Sequence, residues 1–180
     1  MRSYKTEGIV IKRRNFSEAD RIITIFSKQH GKIQVKAVGV RKITSRRSPH
    51  VELLNRSLFT LYKGRNMSLL TEVSNFENYA EIKADLTKVG FAYHICELID
   101  GLCAENQEHA DIFDLLQNTL KRMSTGEDLA FIIHEFEIEL LTRLGFYKSS
   151  ELPADFNTSE LIEQILERKL KSKQILPRFT

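Results

Sequence analysis

"KIQVKAVGVRKITSRR" (Lys32–Arg47) decides the reading of the first half of this chain. Ile33, Val35 and Ala37 alternate with Lys32, Gln34 and Lys36, the period of two that gives a strand one apolar and one cationic face. The strand runs into Gly39 and a loop where Arg41, Lys42, Arg46 and Arg47 all precede the next acid, Glu52. Upstream lie "EGIVIKRR" and "RIITIFS", separated by the polar turn "NFSEAD", and "KQHGK" separates the second from the third. Downstream, "SLFTLYK" and "SLLTEVS" flank "GRN", a hairpin signal. Five short strands with one longer connection suit a small closed barrel, because closure removes the exposed edges of so short a sheet. An oligonucleotide-binding (OB) barrel is the leading expectation and an SH3-like barrel the alternative.

Beyond Glu77 the period becomes helical. "EIKADLTKVGFAYHICELIDGLC" places Leu86, Val89, Tyr93, Cys96, Ile99 and Cys103 at three- and four-residue steps, which predicts one amphipathic helix with these residues inward. "HADIFDLLQNTLKRM" predicts a second helix and "EDLAFIIHEFEIELLTRLGF" a third, with Gly145 as its C-terminal cap. A last helix is expected from Ser159 to about Lys171, capped by Thr158 or Ser159, with Leu161, Ile165 and Leu170 on its apolar side. The fold class is therefore α+β in two domains: a five-stranded barrel over 1–76 and a helical bundle over 77–180.

Charge divides at the same place. Met1 to Asn75 holds 16 Lys and Arg against 5 Asp and Glu, a net +11, whereas Phe76 to Leu166 holds 6 against 18, a net −12. The last 14 residues return +4, so the chain's +3 conceals two fields of opposite sign that suit different partners. No apolar run reaches the roughly 20 residues that span a bilayer, and the N-terminus lacks a signal-peptide core, so a cytoplasmic, nucleoid-associated location is expected. Cys96 and Cys103 read as buried free thiols.

Catalysis finds little support: no phosphate-binding Gly loop, nucleophile signature or carboxylate pair stands out. "HEFEIE" (His134–Glu139) lacks the second His of a zinc helix, and no Cys-x-x-Cys exists, so neither a metal nor any other cofactor is expected. The cations carry the signal. They recur on successive elements, as Lys12, Arg13 and Arg14, Arg21, Lys32 and Lys36, Arg41, Lys42, Arg46 and Arg47, then Lys63 and Arg65. Repulsion among them calls for a polyanion, and phosphate contacts with counterion release supply the attraction. Phe16, His30, Phe59 and Tyr62 are candidate base-stacking groups.

"YKTEGIVIKRRNFSEADRIITIFSKQHGKIQVKAVGVRKITSR" (Tyr4–Arg46) resembles the opening of the RecO family of bacterial DNA repair proteins: a Thr-Glu-Gly strand, an acidic "EAD" turn followed by Arg, a "HGK" hairpin and a G-x-RK-x-x-SR loop. The likeness continues through "FTLYKGRNMSLLTEVS", "LLTRLGF" and "RKLKSKQIL". It implies an OB barrel followed by a helical domain in a non-enzymatic recombination mediator. Such a protein binds single- and double-stranded DNA, anneals complementary strands, engages the C-terminal tail of single-strand binding protein, and acts with RecR to load RecA. The chain departs from the family where relatives place a Cys-rich zinc segment, since only "YKSSELPADFNTS" follows "LGF" here. For the tail, the expected site combines an apolar groove with Lys121, Arg122, Arg143 and Lys148, aided by Arg168, Lys169 and Lys171. An RNA-binding module and a protein adaptor are the competing readings of the same charges, and the basic loop is expected to act as a mobile clamp.

Overall fold

The computed structural model describes residues 2–146, 148, 150 and 156–176. The chain forms two compact units, Met1–Asn78 with Ala104–Ala110, and Tyr79–Cys103 with Asp111–Thr180.

The first unit is a closed barrel of β1 (Ser3–Phe16), β2 (Asp20–Ser27), β3 (Gly31–Ala37), β4 (Arg56–Tyr62) and β5 (Ser68–Glu77) in the order β1-β2-β3-β5-β4. β1 pairs antiparallel with both β2 and β4, whereas β3 meets β5 in parallel through Val35↔Ser68 and Lys36↔Leu69. A parallel pair needs a crossover, which the long connection after β3 together with β4 provides. This is the OB barrel, and the SH3-like alternative falls away. Val10, Ile23, Ile25, Ile33, Val35, Phe59, Leu61 and Leu70 fill its interior, closed by Val40 and Val51 from the long connection. Phe59 is fully buried, so it is core and not a stacking group.

Lys32 keeps the face its alternation gives it but not the solvent exposure: only 7% exposed, it lies beneath the 104–110 segment. Asn106 donates its backbone N–H to the Lys32 carbonyl (2.9 Å), and Gln34 Nε2 donates to Glu105 Oε1 (2.7 Å). The segment passes so close to the β2–β3 turn that a Cβ on Gly31, whose φ is +65°, would lie 1.7 Å from the Gln107 carbonyl oxygen. A covering segment some 70 residues distant is invisible to local periodicity.

The second unit holds α1 (Ala80–Lys83), α2 (Leu86–Leu102), α3 (Ala110–Ser124), α4 (Leu129–Arg143) and α5 (Thr158–Leu166). The first expected helix is two, because Asp85 leaves the helix and caps α2 by accepting from Thr87 N (2.9 Å) and Lys88 N (3.3 Å). Its buried arc is Gly90, Ala92, His94, Ile95, Cys96, Leu98 and Ile99, while Leu86 and Tyr93 face solvent. The expected stripe was too narrow for a helix buried over so wide an arc. Gly145 (φ +80°) ends α4 as expected, its N–H bonding Thr142 O while Phe146 N bonds Leu141 O. α5 is shorter than expected: Asn157 caps it, accepting from Glu160 N, and Glu167 in the left-handed region stops it at Leu166. No described helix is long and apolar enough to cross a membrane.

The chain after α5 is strapped down by two carboxylates. Glu97 accepts from Arg168 Nη1 (2.6 Å), Lys171 N (3.0 Å) and Ser172 N (2.9 Å), and Glu163 accepts from Lys169 Nζ and Leu170 N. Burial alone pushes the Glu97 carboxyl up, but the Arg168 guanidinium and the two backbone N–H groups hold it down at about 2. Beneath lies a buried chain in which His94 joins Ser172 Oγ (2.7 Å) to Glu137 (2.6 Å), which also accepts from Thr158.

Candidate nucleic-acid interface

The register of β1 sorts the cations. A β-bulge between Val10 and Lys12 flips the strand, so Val10 faces Ile25 in the core while Lys12 pairs with Thr24 and Arg14 with Ile22 on the outer face. Lys36 sits on the other side of Ile22, so Arg14 and Lys36 share one outer row. Arg13, paired with Ile23, points the opposite way and meets Arg21 on the carboxylate of Glu52, which Arg21 Nη1 reaches at 3.4 Å. "KRR" is thus one run in sequence and two faces in space.

Lys36 is anchored by Asp20 (3.2 Å) and lies 5.0 Å from the centre of the Phe16 ring. Asp20 also accepts from the backbone N–H of Gly39 (2.7 Å), and that bond, with Lys36 in support, holds its carboxyl below the usual range. The same bond starts the basic loop. Arg41 N bonds Ala19 O (2.9 Å) and its guanidinium reaches Ser17 O (3.2 Å), while Arg47 donates to Leu70 O (2.7 Å) and Val38 O (2.8 Å). A loop tied to the β1–β2 turn at one end and to β5 at the other is braced, so the expected mobile clamp is a fixed one. Arg47 is its fastener. Arg14, Lys42, Arg46, Lys63 and Arg65 make no side-chain hydrogen bond or close ion pair among the described residues, and all five are exposed, Lys42 adding only its positive field at Asp20. Lys63 and Arg65, on the β4–β5 turn, line an open cleft of about 390 Å³ with Tyr4, Ile33 and Gln34. His30 stands edge-on to Tyr4 (ring centres 5.0 Å apart), and the Tyr62 hydroxyl accepts from Arg2.

In the helical unit the four expected tail-binding cations are not brought together. Arg122, in the last turn of α3, is bound by Glu127 (2.9 Å) and Glu135 (2.6 Å), which raise its pKa. Arg143, in the last turn of α4, holds Glu139 (3.1 Å) and the Asp111 carbonyl (2.7 Å) at the start of α3. Eight residues of helix, about 12 Å of rise, separate Glu135 from Arg143, so the two arginines mark opposite ends of an antiparallel α3–α4 pair. Lys121 and Lys148 are exposed, Arg168 is taken by Glu97, and Lys169 by Glu163. His134 is exposed and apart from other ligands, and no group of three or more His, Cys, Asp or Glu converges among the described residues.

Strand order and parallel β3–β5 closure define an OB-fold protein with a helical companion unit. The family model described as recombination protein O N terminal matches residues 1–79, and that for recombination protein O C terminal matches residues 83–151. The chain belongs to the recombination protein O family. It is 35% identical over 145 residues to the DNA repair protein RecO of Roseiflexus sp. (strain RS-1), covering 81% of this chain and 51% of that protein. It is 38% identical over 147 residues to that of Acetivibrio thermocellus (81% and 59%), and 32% identical over 146 residues to that of Pelotomaculum thermopropionicum (81% and 57%). The chain therefore spans between half and three fifths of the length of these relatives.

Proposed function

We propose that the chain is a DNA repair protein that binds DNA without catalysing a reaction on it, holding single strands for annealing in recombinational gap repair. The observation that carries this reading is the set of exposed cations without a side-chain partner among the described residues: Arg14 on β1, Lys42 and Arg46 on the braced loop, and Lys63 and Arg65 on the β4–β5 turn, with Lys12, Lys36 and Arg41 alongside. Arg47 serves first to fasten the loop, and Arg13 and Arg21, on the other face of β1, are held by Glu52. Cations on fixed backbone grip phosphates at defined spacing and carry no base preference. Action with RecR, assistance to RecA loading and capture of the single-strand binding protein tail are the partner half of the proposal. A tail site on the helical unit forms at one end of the α3–α4 pair, using Lys121 with Arg122 or Arg143 with Lys148.

The test is a labelled oligonucleotide titrated over a range of salt, with unlabelled RNA as competitor, followed by annealing of complementary DNA coated with single-strand binding protein. Salt-sensitive binding that DNA competes better than RNA, with accelerated annealing, is expected. Binding that RNA competes better moves the reading to RNA. No binding at low salt overturns it in favour of the protein adaptor.

A further inference from the structure

Ile43 is the most exposed large apolar side chain among the described residues, at 105% of its reference area. Ser45 N bonds the Lys42 carbonyl (2.9 Å), so Ile43 and Thr44 are the two central residues of a turn. Such positions favour Gly, Asn, Asp or Ser, and a β-branched residue there gains nothing from the turn itself. The turn is not loose. Lys42 N bonds Gly39 O (3.1 Å), Gly39 N bonds Asp20, and Arg47 closes the far end on Val38 O and Leu70 O. An apolar tip is thus held in solvent on a braced stalk, and little ordering remains to be done on contact. Lys42 and Arg46 flank it, Val38 (46%), one of the residues to which the loop is tied, is exposed, and so is Phe16 (41%), next in sequence to Ser17, which accepts from Arg41.

We propose that Ile43 is a base-contacting wedge: it packs on the open face of an unstacked nucleobase while Lys42 and Arg46 hold the phosphates on either side. A single strand combines closely spaced anionic charge with apolar faces, which is the chemistry this tip complements. In a paired duplex the base faces are covered, so single strands and frayed ends are the preferred target. The proposal rests on the DNA-binding reading and adds to it a contact that does not depend on charge.

The chain contains no tryptophan, so Ile43→Trp in the full chain places one selective fluorophore at the tip. Oligo-dT is expected to quench it strongly, inorganic polyphosphate and blunt duplex of equal charge to quench it weakly, and Val38→Trp to respond less than Ile43→Trp. In parallel, Ile43→Ser should weaken single-strand binding about three- to tenfold at every salt concentration, the size of a partly buried apolar side chain. Its salt slope should stay unchanged, whereas Arg46→Ala should lower the slope by about 0.7. Melting temperatures equal to wild type show that both variants fold. Oligonucleotide binding that leaves the fluorescence of Ile43→Trp unchanged, or unchanged affinity of Ile43→Ser, overturns the wedge and leaves the DNA reading standing. Equal quenching by polyphosphate, or a blue shift on anionic vesicles without a response to DNA, also overturns it. Failure of the wild-type chain to bind any oligonucleotide overturns both.

Discussion

Glu52→Gln is expected to make the protein bind DNA more tightly. Glu52 sits after the 3-10 turn Ser48–Val51 and receives Arg13 on one oxygen and Arg21 on the other, at 3.4 Å for Arg21. The trio carries +1 in total, and two guanidiniums are withheld from phosphates by one carboxylate. The amide keeps the shape and removes the charge. If one arginine is released to a single-strand phosphate, the slope of log affinity against log salt steepens by about 0.7, and if both are released by about 1.4. At 0.1 M salt, one decade below the 1 M reference, those slopes correspond to about 5-fold and about 25-fold tighter binding. The cost to folding should be small, since partly exposed ion pairs contribute about 0–1 kcal/mol each. Fluorescence anisotropy of a labelled oligo-dT from low to high salt reads the slope, and a thermal melt checks the fold. Adding Arg13→Ala and Arg21→Ala to Glu52→Gln should remove the gain. A shallower slope or weaker binding in Glu52→Gln with an unchanged melt would refute the reasoning, because it would mean that Glu52 aims the arginines at DNA.

Three further outcomes follow from the packing. Phe59→Ala should lower the stability of the barrel by about 3–5 kcal/mol, as expected for emptying a fully buried aromatic site, and urea unfolding followed on the isolated transition measures it. Gly31→Ala cannot keep both its φ of +65° and the 104–110 segment in place, so hydrogen exchange at Asn106 N should accelerate; unchanged protection there would show that the segment does not press on the hairpin. Glu97 has its folded pKa depressed from 4.5 to about 2, so its contribution is complete above pH 4.5 and is lost as pH falls toward 2. It amounts to about 1–2 kcal/mol after solvent screening. Glu97→Gln should therefore melt lower at pH 7 and show a flatter acid limb by circular dichroism, and an acid limb as steep as wild type would count against the strap.

Much of the barrel was legible because a half-buried strand writes its two faces as alternation. Ile33, Val35 and Ala37 point inward as read, and the "GRN" hairpin forms between β4 and β5. What alternation cannot encode is what lies across it. Lys32 obeys the period yet is covered by residues near Glu105, and Arg13 leaves the outer face because a single extra residue at the bulge inverts the strand. The Asp85 cap did have a local signal, an Asp followed by the first periodic residues of a helix, which the apolar stripe masked. For the candidate site, the positive charge was fully legible and its division was not. Glu52 is 39 residues from Arg13 and 31 from Arg21, and only closure of the barrel makes them neighbours.

That division bears on how a stretch, Met1–Asn75, with 16 cations and 5 acids can both fold and carry a binding surface. Three of its acids, Glu7, Asp20 and Glu52, each hold at least one cation on the barrel: Arg56 at 2.7 Å, Lys36 at 3.2 Å, and the Arg13 and Arg21 pair. These bonds fix strand ends and loop roots, and much of the excess charge sits on exposed turns, where physiological salt screens it over roughly 8–10 Å. Exposure to salt weakens their repulsion, and the barrel tolerates them. On the proposed DNA-binding reading the cations of the Arg41–Arg47 loop meet phosphates from a braced backbone, a contact that carries no base preference. A surface of this kind would hold any strand alike, and the proposed annealing requires that, because two complementary sequences must be held by one site.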